Sequence, residues 1–70
     1  MSLNEEEIQQ ARSDLIELRL EHSDLDHAIE LMLQNNYVDQ LRLRRMKKRK
    51  LKLKDSILRL ESMVIPDMDA

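Results

Sequence analysis

The sequence predicts an all-α protein: an antiparallel two-helix hairpin, coiled-coil-like, that assembles into a helical bundle. Three observations carry that prediction. Two long stretches repeat apolar residues at steps of three and four, and one short break separates them. The charge is sorted between the stretches. Residues 1–33 hold nine acids and two bases, a net of −7, whereas residues 34–60 hold ten bases against Asp39 and Asp55, a net of +8. An acidic arm lying along a basic arm favours the antiparallel pairing and penalises a parallel pairing of identical arms.

The first helix is expected over about 4–34. Ser2 or Asn4 supplies an N-cap, and Glu5, Glu6 and Glu7 oppose the helix dipole in the first turn. Ile8, Ala11, Leu15, Leu18, His22, Leu25, Ile29 and Met32 form an unbroken heptad ladder on one face, with His22 as its polar member. Ile16, Leu20, Leu31 and Leu33 lie off the ladder, so the apolar surface is wider than one two-stranded contact requires.

A turn follows at about 35–39. Asn35 and Asn36 are suited to the left-handed geometry that closes a helix, and Asn36 or Asp39 to capping the next one. The second helix is expected over about 40–64. Its ladder is Leu43, Met46, Lys50, Leu53, Ile57, Leu60 and Val64, with Lys50 as the polar member, and a neighbouring stripe adds Tyr37, Leu51, Leu58 and Ile65. Pro66 should end this helix, leaving a frayed tail over 65–70. With the turn centred near residues 36–37, facing residues have numbers summing to about 73. Leu15 then faces Leu58, Ile29 faces Arg44, and His22 faces Leu51. Glu21 comes near Lys52, Arg19 near Asp55, and Asp14 near Arg59. Each exposed ion pair adds about 0.3–0.5 kcal/mol, and together they favour one register.

Composition narrows the function classes. Seventy residues make a single domain, 1–70, with no Gly, no Cys, one Pro and one aromatic residue, Tyr37. Phosphate-cradling Gly loops and thiolate metal sites are therefore unavailable. The start MSLNEEE has no basic n-region and no apolar core, so it does not read as a secretory signal. No apolar run reaches the length of a membrane span, and the expected setting is cytoplasmic. A chain this short, without a disulfide or metal staple, needs a regular helix seam or association with copies of itself or a partner.

Two stretches also resemble a known family. Glu21-His22-Ser23-Asp24-Leu25-Asp26-His27-Ala28-Ile29 is similar to an EHxxLDxxI pattern, and Lys47-Lys48-Arg49-Lys50-Leu51-Lys52-Leu53-Lys54-Asp55-Ser56-Ile57 to KKxKLxLKDEI, with Ser56 where that pattern has Glu. Together, over roughly Leu15 to Leu60, they resemble the small bacterial YdcH-like family. The resemblance implies a helical hairpin, a bacterial origin and a cytoplasmic setting, and it implies no activity.

Candidate sites are few. Nine bases lie between Arg42 and Lys54. Arg42, Arg45, Lys48, Arg49 and Lys52 are the candidate polyanion-binding residues, with a steep salt dependence expected if they bind phosphates. No aromatic residue is interleaved for base stacking, and the acidic arm should neutralise the edges of the stripe, so a solvated, internally paired helix face ranks first. An anionic membrane surface ranks below nucleic acid, because the hairpin already uses the apolar face. His22 and Lys50 are expected as polar layers of the seam, with a His22 ring nitrogen bonded to an acid or water. His22 and His27, near Glu21, Asp24 and Asp26, do not amount to a metal site. Acids and serines on exposed helices lack the pocket and activating partners that catalysis requires. The expectation is a non-enzyme without cofactors: a small coiled-coil module binding itself, as dimer or tetramer, or a larger protein. The alternative is a nucleic-acid-associated protein using the basic outer face of the second helix.

Overall fold

In the computed structural model residues 3–64 are described, and they form two helices, α1 (Glu5–Leu33) and α2 (Gln40–Val64), packed as an antiparallel hairpin. The Ser2 cap, Ile65 of the second stripe, the stop at Pro66 and the tail over 65–70 lie outside the described residues.

Asn4 is the N-cap of α1. The Glu7 N–H donates to Asn4 Oδ1 at 2.8 Å, and the Asn4 N–H donates to Glu7 Oε1 at 3.0 Å. This reciprocal box satisfies two of the orphan donors at the helix start, and Glu5 and Glu6 add negative charge at the positive end of the dipole. At the other end the expectation of a left-handed Asn is not met. No residue among those described has positive φ. Instead the last turn tightens: the Gln34 and Asn35 N–H groups donate to the Leu31 and Met32 carbonyls, each at 3.2 Å. Such i to i−3 bonds end a helix without the strain of a left-handed side-chain-bearing residue. Asp39, rather than Asn36, caps α2, its Oδ1 accepting from the Arg42 N–H at 3.1 Å. The last turn of α1 carries no base.

The buried apolar residues are Ala11, Leu15, Ile29, Leu43 and Leu53, all 7 % exposed or less. All belong to the two ladders, and every other ladder residue is at least half-buried. Leu51 and Leu58, by contrast, are 68 % and 56 % exposed, and Arg44 is also exposed. The pairing through numbers summing to about 73 is therefore incorrect by about two residues. Run in opposite directions, the ladders bring Met32 level with Leu43, Ile29 with Met46, and Leu25 with Lys50. Continuing away from the turn, His22 meets Leu53, Leu18 meets Ile57, Leu15 meets Leu60, and Ala11 meets Val64. Leu18 and Leu60 accordingly line one groove, and Leu25 and Leu53 another. Ladder phase sets the register, because moving a helix by two residues turns its apolar face away from its partner.

Leu15→Ala and Leu53→Ala should each cost about 2–5 kcal/mol, enough to melt much of the hairpin, whereas Leu20→Ala, 63 % exposed, should cost well under half as much. Urea denaturation followed by helical circular dichroism measures all three; equal losses would show that the seam is wrongly assigned.

Candidate interaction surfaces

The two stretches that carry the family resemblance meet across the hairpin. Lys50, on the α2 ladder, reaches out of the seam and donates through Nζ to Asp26 Oδ1 on α1. Four residues before Asp26 on the same helix is His22, whose Nε2 is buried and has no hydrogen-bond partner among the described residues. Of the acid or water expected to bond a His22 ring nitrogen, no acid among the described residues does so at this atom. Lys50 holds the Asp26 carboxyl below the usual aspartate range, first by its hydrogen bond and then by its charge; His22 adds a smaller pull in the same direction, and partial desolvation opposes them.

The flanks of the seam are distinct. On one, Arg19 Nη2 donates to Glu61 Oε2 at 2.6 Å, on the same side as the Lys50–Asp26 pair. On the other, Arg49 lies 3.8 Å from Glu21. These replace the expected pairs. Arg19 takes Glu61 instead of Asp55, and Glu21 takes Arg49 instead of Lys52. Arg59 pairs with Asp55 one turn back on its own helix at 2.8 Å, while Asp14 accepts from Gln10 at 3.0 Å. Helical phase explains the exchange: Glu61 and Arg49 flank the α2 ladder, whereas Asp55 and Lys52 lie farther round the helix, and long side chains span the offset along the axis.

The basic stretch is less neutralised than expected. Of the five polyanion candidates only Arg49 has an ion-pair partner; Arg42, Arg45, Lys48 and Lys52 have none among the described residues, nor do Arg44, Lys47 and Lys54. All are exposed. Arg44, Arg45, Lys48 and Lys52 lie farther round α2 than the flanking positions, and beside Arg42, Lys47 and Lys54 the flank of α1 sets few acids that are not already paired. Tyr37 stands 95 % exposed in the turn, at the end of the hairpin where the basic stretch begins. Among the described residues no group of three or more His, Cys, Asp or Glu is placed to hold a metal.

Large apolar side chains also face outward. Ile16 and Leu20 on α1, and Leu51 and Leu58 on α2, are each more than half exposed, as are Leu31, Leu33 and Leu41. All but Leu41 were legible as off-ladder residues, and their exposure follows from the single seam.

This is the surface of a small, charge-sorted helical hairpin. A family model described as a protein of unknown function (DUF465) matches residues 15–61. That is more than half of the chain, and it takes in both motif stretches and the seam between them. The chain belongs to this family, the uncharacterised YdcH-like proteins. No curated protein and no solved structure matches the chain. No helix among the described residues is long and apolar enough to cross a membrane.

Because the folded Asp26 is depressed relative to the unfolded chain, its pairing stabilises the fold above the ordinary aspartate range, and that contribution is lost as pH falls below about 4 toward the depressed value. Thermal midpoints of the natural chain and of Asp26→Asn should differ near neutral pH and converge in acid; a gap that does not narrow on acidification would sink the assignment. Separately, His22→Leu should raise stability by about 1–3 kcal/mol by removing from the seam a buried nitrogen that has no partner among the described residues, as read by urea denaturation.

Proposed function

We propose that this chain is a non-enzymatic coiled-coil interaction module, acting by association with copies of itself or with a larger protein. The observation that carries this reading is the second set of apolar side chains, Ile16, Leu20, Leu51 and Leu58 among them, which the hairpin leaves outside its seam. One seam buries one stripe per helix; the remaining stripes gain about 1.5–3 kcal/mol for each Leu or Ile fully covered by a partner. The slender shape, 50 × 21 × 18 Å, is two helices wide and one thick, which favours recognition along a face over recognition in a pocket.

A second reading, association with nucleic acid, is supported by the exposed cations Arg42, Arg45, Lys48 and Lys52, which lack ion-pair partners among the described residues. Tyr37 offers one stacking surface at the same end. The first reading is preferred because it also explains the apolar side chains.

Sedimentation equilibrium separates these readings. The average mass at tens of micromolar should exceed the 8.4 kDa of one chain, and the melting temperature should rise with concentration. A single 8.4 kDa species with a concentration-independent melting temperature, retained on DNA at low salt and released at modest salt, would reverse the order of the two readings.

A further inference from the structure

The flank marked by the Arg19–Glu61 pair carries a row of large exposed apolar side chains. Ile16 lines a groove there with Leu15, Arg19 and Val64. Leu58 stands one turn before Glu61 on α2, as Ile16 stands one turn before Arg19 on α1, so both lie outside the same ion pair. The register also sets their heights. Measured from the Leu18/Ile57 layer, Ile16 and Leu58 differ by about one residue rise, roughly 1.5 Å. The same holds one heptad toward the turn for Ser23 and Leu51, and one further for Glu30 and Arg44. Ile16, Leu51 and Leu58 are more than half exposed, and Ser23, Glu30 and Arg44 are exposed as well.

This sequence of matched heights is self-complementary. We infer that two copies of the chain associate through this flank about a twofold axis parallel to the hairpin, laying α1 of each on α2 of the other. The inference rests on the interaction-module reading and names its partner. A rotation about that axis preserves height, so Ile16 meets Leu58 of the second copy, Ser23 gives room to its Leu51, and Glu30 meets its Arg44. Arg44 has no ion-pair partner among the described residues within its own chain. Neighbouring helices run antiparallel throughout, acid against base, which makes an up-and-down four-helix bundle. A twofold axis across the helices would instead lay α1 on α1 and α2 on α2, setting like charges together. The opposite flank sets charged side chains, Asp14, Glu17, Glu21, Arg49 and Arg59, along its groove.

Cysteine cross-linking tests the arrangement, and the chain has no native cysteine to confuse it. Ile16→Cys and Leu58→Cys are prepared separately; both sites are off the seam, and circular dichroism checks that each variant keeps its helix content. Mixed under mild oxidation, they should yield mainly the mixed disulfide dimer, while either variant alone should cross-link little. Glu30→Arg should weaken the dimer about tenfold, and Glu30→Arg with Arg44→Glu should recover most of that loss. If the Ile16→Cys variant cross-links mainly to itself, or if the dimer ignores charge reversal at Glu30, this geometry is overturned and the interaction-module reading stands. A strictly monomeric chain at about a hundred micromolar overturns both this geometry and self-association.

Discussion

The constraint on which the rest of this structure depends is that a two-helix hairpin has one seam. Each helix buries a single stripe, and everything else must face solvent or another molecule. The buried set is correspondingly small and made of side chains no larger than Leu and Ile. A seam this thin tolerates few errors in register, and polar groups at its edge matter more than they would in a larger core. It also explains why so many cations of α2 find no partner on α1. Only positions beside the stripe reach across: Arg44, Arg45, Lys48 and Lys52 lie farther round the helix, and α1 sets few free acids beside Arg42, Lys47 and Lys54.

Lys50 and His22 interrupt the ladders in different ways. Lys50 has a stem long enough to keep its methylenes over the seam while its ammonium leaves to meet Asp26. The seam loses little packing there, and a charge pair ties the helices at one height. His22 has a short, rigid ring, so its Nε2 stays inside with no partner among the described residues. One interruption specifies the register; the other weakens the layer that it occupies. Both residues, with Asp26, fall in the stretches that carry the family resemblance.

Most of the fold was legible in the sequence, because helix periodicity is a local property. The two ladders name the residues that the structure half-buries or buries, from Ile8 to Met32 and from Leu43 to Val64. What was not legible came from properties that are not local. The midpoint of the turn is a poor guide to register, since the chain leaves α1 through a tightened turn and enters α2 from an Asp39 cap, and neither fixes helical phase. The expected ion pairs matched heights along the axis and overlooked helix face, which Asp55 and Lys52 do not share with the seam. Arg59, moreover, has an acid one turn away on its own helix, and a neighbour at that distance costs less side-chain entropy to engage than one across the seam. The candidate polyanion face was visible as a run of bases. That four of its five members would stay unpaired among the described residues depended on the width of the seam, which a count of charges does not contain.

The sorting of charge has a consequence for how these molecules behave when crowded. With acids exposed along one helix and bases along the other, each hairpin is a rod with opposite polarity on its two long sides, although its formal net charge is only −2. At separations beyond a Debye length two such rods barely sense each other. Closer in, the pattern outweighs the net charge, and rods attract when the acidic edge of one slides beside the basic edge of the next. Small ions shield that edge-to-edge attraction. The protein is therefore built to salt in: it should dissolve more readily in saline than in pure water, the reverse of what uniform charge of one sign would produce.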